Sequence, residues 1–545
     1  MASIVTHPAP VTGWRRLFAD IATVSVSTIA CQAIGVATSL LLRVALSPAQ
    51  MGVWQGLKLL LSYANYANLG ISKGAARELA IARGHGNLAA AERGLDLAFT
   101  FNTLTSVVYA GGLLATAGWM IYSTGEANAW SIGLAALALL VVLQRHLTFH
   151  VTILRCRQAF ALTAQLALIE AALTLAVAGA ASWRWGLPGL YAGTTLVILA
   201  TLATIRWRGV RPFRWAWDAG EIRRLVAIGG PILAGSVMAT LFQSLDKLMI
   251  LGCSQNRAFE LGCYSTSLLV TGQVYGLANM LSIAMLPRYG ELFGKSGCRQ
   301  QTARLAARFS EFLAATSAAA AIGAMQIAPP ILDRWLPDYR PGLAPLAYLL
   351  PGVVAWAMVL PLNQYLVAVG HERRALLALG LATGLGACGD YLALHGGHGL
   401  IGVAIATSLA YTGCYLFTLA ISLWPQLSSA DRRRYLCIHA LVLASVTAAT
   451  VAPTLRGGDL RSSAATAVPV TECRGYFDAD RNPISVRRSR NATEGVPYSR
   501  CPQRVAHSPP RPLAQSPYRP LALSPPRLVA RSPSRPLAHE PPIAG

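Results

Sequence analysis

The sequence predicts an all-α integral membrane protein of about 12 transmembrane helices in two six-helix lobes. Three observations predict it. Of the 545 residues, 54% are hydrophobic and only 13% charged, about half the charged share of an ordinary soluble domain. Apolar runs long enough to cross a hydrocarbon core of roughly 30 Å recur along the chain. Lys and Arg collect in alternate connectors, as they do on the cytoplasmic side of a membrane.

Taken in order, residues 1–17 read as a cytoplasmic N-terminus. Arg15 and Arg16 precede an apolar run as in a signal peptide, but the run continues past Leu42 without a small-residue cleavage site, which makes it an uncleaved first helix. The first lobe, 18–205, holds runs near 18–43, 53–69, 97–122, 128–150, 159–182 and 186–205. A basic cytoplasmic connector follows at 206–224. The second lobe, 225–424, holds runs near 225–252, 262–287, 306–331, 342–369, 373–394 and 399–424, and a weaker run at 435–455 reads as an extra helix. From 456 to 545 the chain turns to Arg, Pro, Ser and Ala, with the eight-residue repeats SPPRPLAQ, SPYRPLAL, SPPRLVAR and SPSRPLAH over Ser508 to His539. Such a composition predicts disorder. It reads either as a basic arm for anionic lipid headgroups or a Pro-recognising partner, or as a drifted end with no selected role.

With the N-terminus inside and twelve spans, 25 Lys and Arg fall on the cytoplasmic side, Arg145 among them, against Arg184, Arg257, Arg334 and Arg340 outside. A wrong helix count early in the chain would scramble that alternation. The net charge of +23 is therefore a membrane address and not a sign of a nucleic-acid partner, and the expected location is the inner (plasma) membrane. The two lobes also open alike. GVWQGLKLLLSYANYANLGISKGAARELA from Gly52 and GCYSTSLLVTGQVYGLANMLSIAMLPRYGEL from Gly262 both place an aromatic two residues after Gly, then an apolar helix, then Arg near an acid. Paired halves are a common plan for transporters that rock one half against the other.

Charge inside hydrocarbon is costly, so intramembrane polar groups mark candidate solute paths. In the second helix Gln55, Lys58, Ser62 and Asn65 fall at steps of three, four and three, which confines them to one stripe. The first helix carries Thr28, Gln32, Gly35, Ser39 and Arg43, and the seventh Ser236, Thr240, Gln243 and Lys247, each stripe ending in a cation. Arg43, Lys58 and Lys247 could pair with a pyrophosphate or acidic sugar, or snorkel to headgroups from the outer helix ends. The stripes could equally be packing surfaces. Asp246, Glu170 and Asp390 are candidates for a coupling proton or cation, or static partners of Arg and backbone groups. Arg145, His146 and His150 fall where the fourth helix returns to the cytoplasm and read as structural. The ten cysteines show neither a disulfide framework nor metal-ligand spacing, and no cofactor or metal is expected. No Walker loop, HExxH or nucleophile elbow is found, so the chain is not expected to be an enzyme.

At LSPAQMGVWQGL, LGISKGAARELA, LVAIGGPILAGSVMATLFQSLDKLMIL, ELGCYSTSLLV, LPRYGEL and HGLIGVAIATSLAY, spread over roughly 15–455, the chain resembles the polysaccharide flippase branch of the multidrug, oligosaccharidyl-lipid and polysaccharide exporter superfamily. That resemblance implies two six-helix lobes around a cavity open to each side in turn. It implies a lipid-linked oligosaccharide as substrate, membrane lipids around the tail, and other polysaccharide assembly proteins as partners. Ser244 to Lys247 sits where the family often has an acidic and basic pair. Many such flippases have fourteen helices, whereas here the Arg-Pro tail stands in place of a fourteenth. The rival expectations are a cation-coupled multidrug exporter on the same fold, and a membrane glycosyltransferase or polymerase, for which the loops are short.

Overall fold

The computed structural model describes residues 14–84, 88–157, 159–210, 213–283 and 285–456. The tail expected to be disordered and its repeats lie outside the described residues. The described chain is helical throughout, and its breaks follow from local chemistry. Helix α1 (Trp14–Ala45) is joined to α2 (Pro48–Ala64) by two residues. Ser47 and Gln50 form a reciprocal capping box there, with Pro48 at the first helical turn, which starts α2 earlier than the apolar run near 53–69 suggests. It also ends earlier, in a turn where Leu69 (φ 51°) and Gly70 (φ 85°) adopt left-handed backbone and Asn68 Oδ1 accepts from the Gly70 amide at 3.0 Å.

A short helix follows, α3 (Ile71–Gly84), then α4 (Leu88–Thr124), α5 (Ala129–Cys156) and α6 (Phe160–Leu173). A π-helical turn, Thr174–Ala178, leads into α7 (Gly179–Trp207), which breaks sharply at Gly186 (φ 60°, ψ −137°). Only glycine adopts that backbone readily, so Phe160–Trp207 comprises the two expected runs, 159–182 and 186–205, as two legs. The second half repeats the order: α8 (Ala219–Cys253), α9 (Arg257–Ile283), short α10 (Leu286–Ser296), α11 (Arg299–Trp335), α12 (Leu343–Ala368), α13 (Glu372–His395) and α14 (Gly399–Ile421). Helix α15 (Ser429–Arg456) has no counterpart in the first half.

Eleven helices among the described residues are long and apolar enough to cross a membrane. Dividing Phe160–Trp207 at Gly186 adds one. The 17-residue α2, about 26 Å long at 1.5 Å per residue, adds another. The sum is the twelve expected spans and the weaker thirteenth. In both halves the same non-spanning element, α3 or α10, follows the second span, and this structural repeat is clearer than the residue-by-residue likeness.

The weaker run is well anchored. His439 on α15 is buried, its Nδ1 lies 2.8 Å from the Tyr435 carbonyl and its Nε2 3.3 Å from Ser310 Oγ of α11. Tyr435 donates to the same Ser310 Oγ at 2.9 Å, and Arg434 meets Glu311 at 3.0 Å.

The halves pack largely within themselves and meet where α2 crosses α9 and where α3 lies on α8. At the first crossing the backbones touch. A Cβ on Gly52 would stand 1.6 Å from the Ala258 carbonyl oxygen, and one on Gly262 would stand 1.8 Å from that of Pro48. Gly52 and Gly262 are the residues that open the two related stretches, so each half contributes the same glycine to the same contact. Small residues permit such close approach between membrane helices. Gly52→Ala and Gly262→Ala are each expected to lower the thermal stability of the purified protein by about 1–3 kcal/mol or more, with the double variant losing less than the sum. Gly112→Ala, which meets nothing within 4 Å, should leave the melting temperature unchanged or raised.

Candidate solute pathway and buried polar clusters

The polar stripe of α2 is the face that packing leaves open. Met51, Val53, Trp54, Leu57, Leu59 and Ala64 are buried, whereas Lys58 and Ser62 are exposed and Gln55 and Asn65 half-buried. Because α2 packs on α9, α5 and α8, this open face belongs to the seam between halves and not to the outside of the bundle. Gln32 of α1 reaches the same seam, its Nε2 lying 3.5 Å from where a Gly276 Cβ would stand on α9.

The three stripe cations have different surroundings. Arg43 is 4% exposed and ties α1 to α9: Nε donates to Thr266 Oγ1 at 3.1 Å, and Nη2 donates to the Ser265 carbonyl at 2.9 Å and to its hydroxyl at 3.1 Å. Nη1 closes the set on the Ser39 carbonyl at 3.0 Å. Beside it Tyr339 donates to the Leu46 carbonyl at 2.8 Å. Arg43 therefore does not snorkel; it is a buried tie between the halves. Lys58 and Lys247 have no hydrogen-bonded or ion-paired side-chain partner among the described residues, and both Lys247 and Arg43 lie within electrostatic reach of Lys58.

The α8 stripe divides. Ser236 and Thr240 are engaged by the end of α2 and by α3: Tyr66 hydrogen bonds to Thr240 Oγ1, and Lys73 donates to Ser236 Oγ and to the Ile232 carbonyl. Partial burial there pushes the Lys73 ammonium below its ordinary value. Tyr63 meets Ser244 at 2.9 Å. Nearby, glycines again admit backbone contact, Gly70 and Gly74 against Gly229 and Leu225. Gln243 and Lys247, further along α8, stay accessible. Tyr63, Tyr66 and Lys73 are not legible as contacts in the sequence, although Tyr63 lies within the α2 stripe and the other two follow it closely.

Two of the three acidic candidates converge. Asp246 of α8 and Asp390 of α13 are 2% and 1% exposed and lie within electrostatic reach of one another. Asp246 Oδ1 accepts the Lys247 amide at 2.8 Å. Asp246 Oδ2, Asp390 Oδ1, the Tyr264 hydroxyl and the Thr407 hydroxyl are buried together, with Tyr264 close enough to act on Asp246 and Thr407 on Asp390. Four helices of the second half thus turn oxygen atoms into one place. Glu170 sits apart, half-buried on α6 within electrostatic reach of Cys31 on α1.

The third cluster lies deeper in its helix than the sequence suggests. Arg145 lies within α5, not at its end, and is 2% exposed. Eleven residues separate it from Cys156 at the end of α5, about 17 Å of helix. Nη2 donates to Asn102 Oδ1 at 3.0 Å and Thr105 Oγ1 at 2.8 Å. Arg145 Nε, Arg145 Nη1 and Asn102 Nδ2 are buried without partners, and each such group costs about 1–3 kcal/mol when left unsatisfied. His146 and His150 do read as structural, hydrogen bonding to the Val142 and His146 carbonyls and packing edge-on against Phe99.

Residues 85–336, α4 to α11, match a family described as polysaccharide biosynthesis protein. No curated relative matches the chain. Among solved structures, the fold is similar to the lipid II flippase MurJ in an inward closed conformation, with 13% identity and a TM-score of 0.60 over 78% of this chain and 91% of that one. It is also similar to an inward-facing multidrug resistance MATE transporter of the MOP superfamily, at 13% identity and TM-score 0.55, covering 75% and 95%. A MOP superfamily transporter from Pyrococcus furiosus aligns at 14% identity and TM-score 0.52, over 77% and 96%. These findings support the resemblance read from the sequence, to a polysaccharide flippase of that superfamily.

Replacing Arg43 with Met strands the Ser265 and Thr266 groups and should cost about 1.5–3 kcal/mol of stability. A fall in the melting temperature of the purified variant would report the tie, and an unchanged one would return Arg43 to a role in the open pathway.

Proposed function

We propose that the chain is a flippase that carries a polyprenyl-pyrophosphate-linked oligosaccharide across the cytoplasmic membrane for polysaccharide biosynthesis, by alternating access. One observation carries the reading. Lys58 from the first half and Lys247 from the second lie within electrostatic reach of each other across the seam, neither in a salt bridge among the described residues, with Arg43 also in reach of Lys58 and Asp246 in reach of Lys247. Like charges so placed repel, and a pyrophosphate between them turns repulsion into attraction. Gln32, Gln55, Ser62, Asn65 and Gln243 line the same side with groups that suit sugar hydroxyls, while the polyprenyl tail stays in lipid. The family match and the similarity to a lipid II flippase support this class of substrate.

The acid pair supplies the coupling in this reading. Asp246 and Asp390, with the neighbouring hydroxyls of Tyr264 and Thr407, suit a proton or a monovalent cation, whose charge would offset the second of two buried carboxylates that share, among the described residues, only Lys247 as a nearby cation. Glu170 is the corresponding candidate of the first half. The face carrying α3, α10 and the 206–224 connector holds most of the Lys and Arg. By the positive-inside rule it is the cytoplasmic face, and the N-terminus is cytoplasmic with it.

In proteoliposomes loaded with a lipid-linked oligosaccharide, the native chain should expose the glycan to the opposite leaflet, and Lys58→Ala and Lys247→Ala should each slow this about tenfold, a loss of roughly 1.4 kcal/mol. Asp246→Asn and Asp390→Asn should fold and still bind the substrate but lose dependence on an imposed sodium or proton gradient. Movement of small cationic drugs without movement of the glycan would transfer the assignment to a cation-coupled multidrug exporter.

A further inference from the structure

The seam between α4 and α5 contains a group that the proposed transport does not use. Arg145 is a cation 98% removed from the surface, and no ion pair to it exists among the described residues. Its hydrogen bonds run to Asn102 Oδ1 and Thr105 Oγ1, both neutral. Within its reach Tyr109 donates to the Leu60 carbonyl of α2 at 3.0 Å, so that phenol too supplies no anion. The unmet hydrogen-bonding groups of the seam are Arg145 Nε, Arg145 Nη1 and Asn102 Nδ2. All three are donors.

That imbalance identifies the missing partner by its chemistry. A water molecule would accept from two of these groups but would bring no charge to offset the buried guanidinium. An anion seated beside Asn102 Nδ2 on one edge of the guanidinium accepts from the donors on that side and supplies the counter-charge that the neutral neighbours do not. Asn102, Ser106, Leu140, Val141 and Leu147 of the same two helices are each at most 2% exposed, so an ion held there is closed off from solvent, and a one-atom anion needs the least space. We propose that the α4–α5 seam is a binding site for one small monovalent anion of the chloride class, held by Arg145 and the Asn102 amide. This site stands apart from the Lys58 and Lys247 cluster: Lys247 and Arg43 are the cations that act on Lys58, and Arg145 is not among them.

The test uses the full-length protein in detergent, with sodium gluconate as the reference salt and sodium chloride or bromide as probe at equal ionic strength. Chloride should raise the melting temperature of the native chain by about 2 °C or more, since a ligand held by the folded state alone stabilises it. Asn102→Asp places a fixed carboxylate beside Arg145; this variant should be stable in gluconate and indifferent to chloride. Arg145→Gln removes the cation and should also lose the response. Crystals grown in bromide should show an anomalous peak between α4 and α5. Equal melting temperatures in chloride and gluconate for the native chain, an unchanged chloride response in Asn102→Asp, or bromide crystals without that peak would each overturn the proposal.

Discussion

Everything on the seam depends on the backbones of α2 and α9 lying in contact at Gly52 and Gly262. With a side chain at either position the helices would stand apart, and the ties that cluster at that end, Arg43 to Ser265 and Thr266 and Tyr339 to Leu46, would lose their reach. The same crossing sets where the α2 stripe can face. Three sides of α2 are covered by α9, α5 and α8, and the polar face is what remains. At the other end, Gly70, Gly74 and Gly229 permit a second close approach, between α3 and α8. A hinge of bare backbone between polar ties suits two halves that move as bodies, because it offers no interlocked side chains to disengage.

Charge is distributed with little direct pairing. Cations gather at the seam, acids gather inside the second half, and one further cation is buried inside the first. Buried ion pairs often recover little beyond their desolvation cost, whereas unpaired buried charges are expensive unless something binds there. Separate stores of opposite charge accord with the proposed carriage of an anionic solute coupled to a cation. The ion pairs that do form, such as Arg224 with Glu221 and Lys295 with Glu291, lie on exposed surface, where they contribute little.

Helix number and the paired halves were legible in sequence because hydrocarbon thickness and backbone hydrogen bonding leave few alternatives. The α2 stripe was legible because period fixes a face. Partners of a face were not. The Arg43 stripe predicted a cation near the outer end of α1 but could not distinguish headgroups from the Ser265 carbonyl, 222 residues away. Asp246 and Asp390 lie on helices whose adjacency no local pattern encodes. Arg145 was read as cytoplasmic because a charge near the end of an apolar run is normally outside it. Only tertiary packing shows that α5 continues another three turns. His439 carries no local signal for the related reason that α15 has low amphipathicity and gains its place from Ser310 and Tyr435.

The paired glycines also bear on ancestry. Each half offers the crossing the same surface: a glycine on one helix meets the backbone four residues earlier on the other, in both directions. Such self-complementarity is what two identical subunits present across a two-fold axis. A chain of α1 to α7 alone, with six spans and both ends on one side, would already own every atom of that contact. Duplication and fusion of such a gene need not have invented an interface; it had only to join two subunits that already fitted.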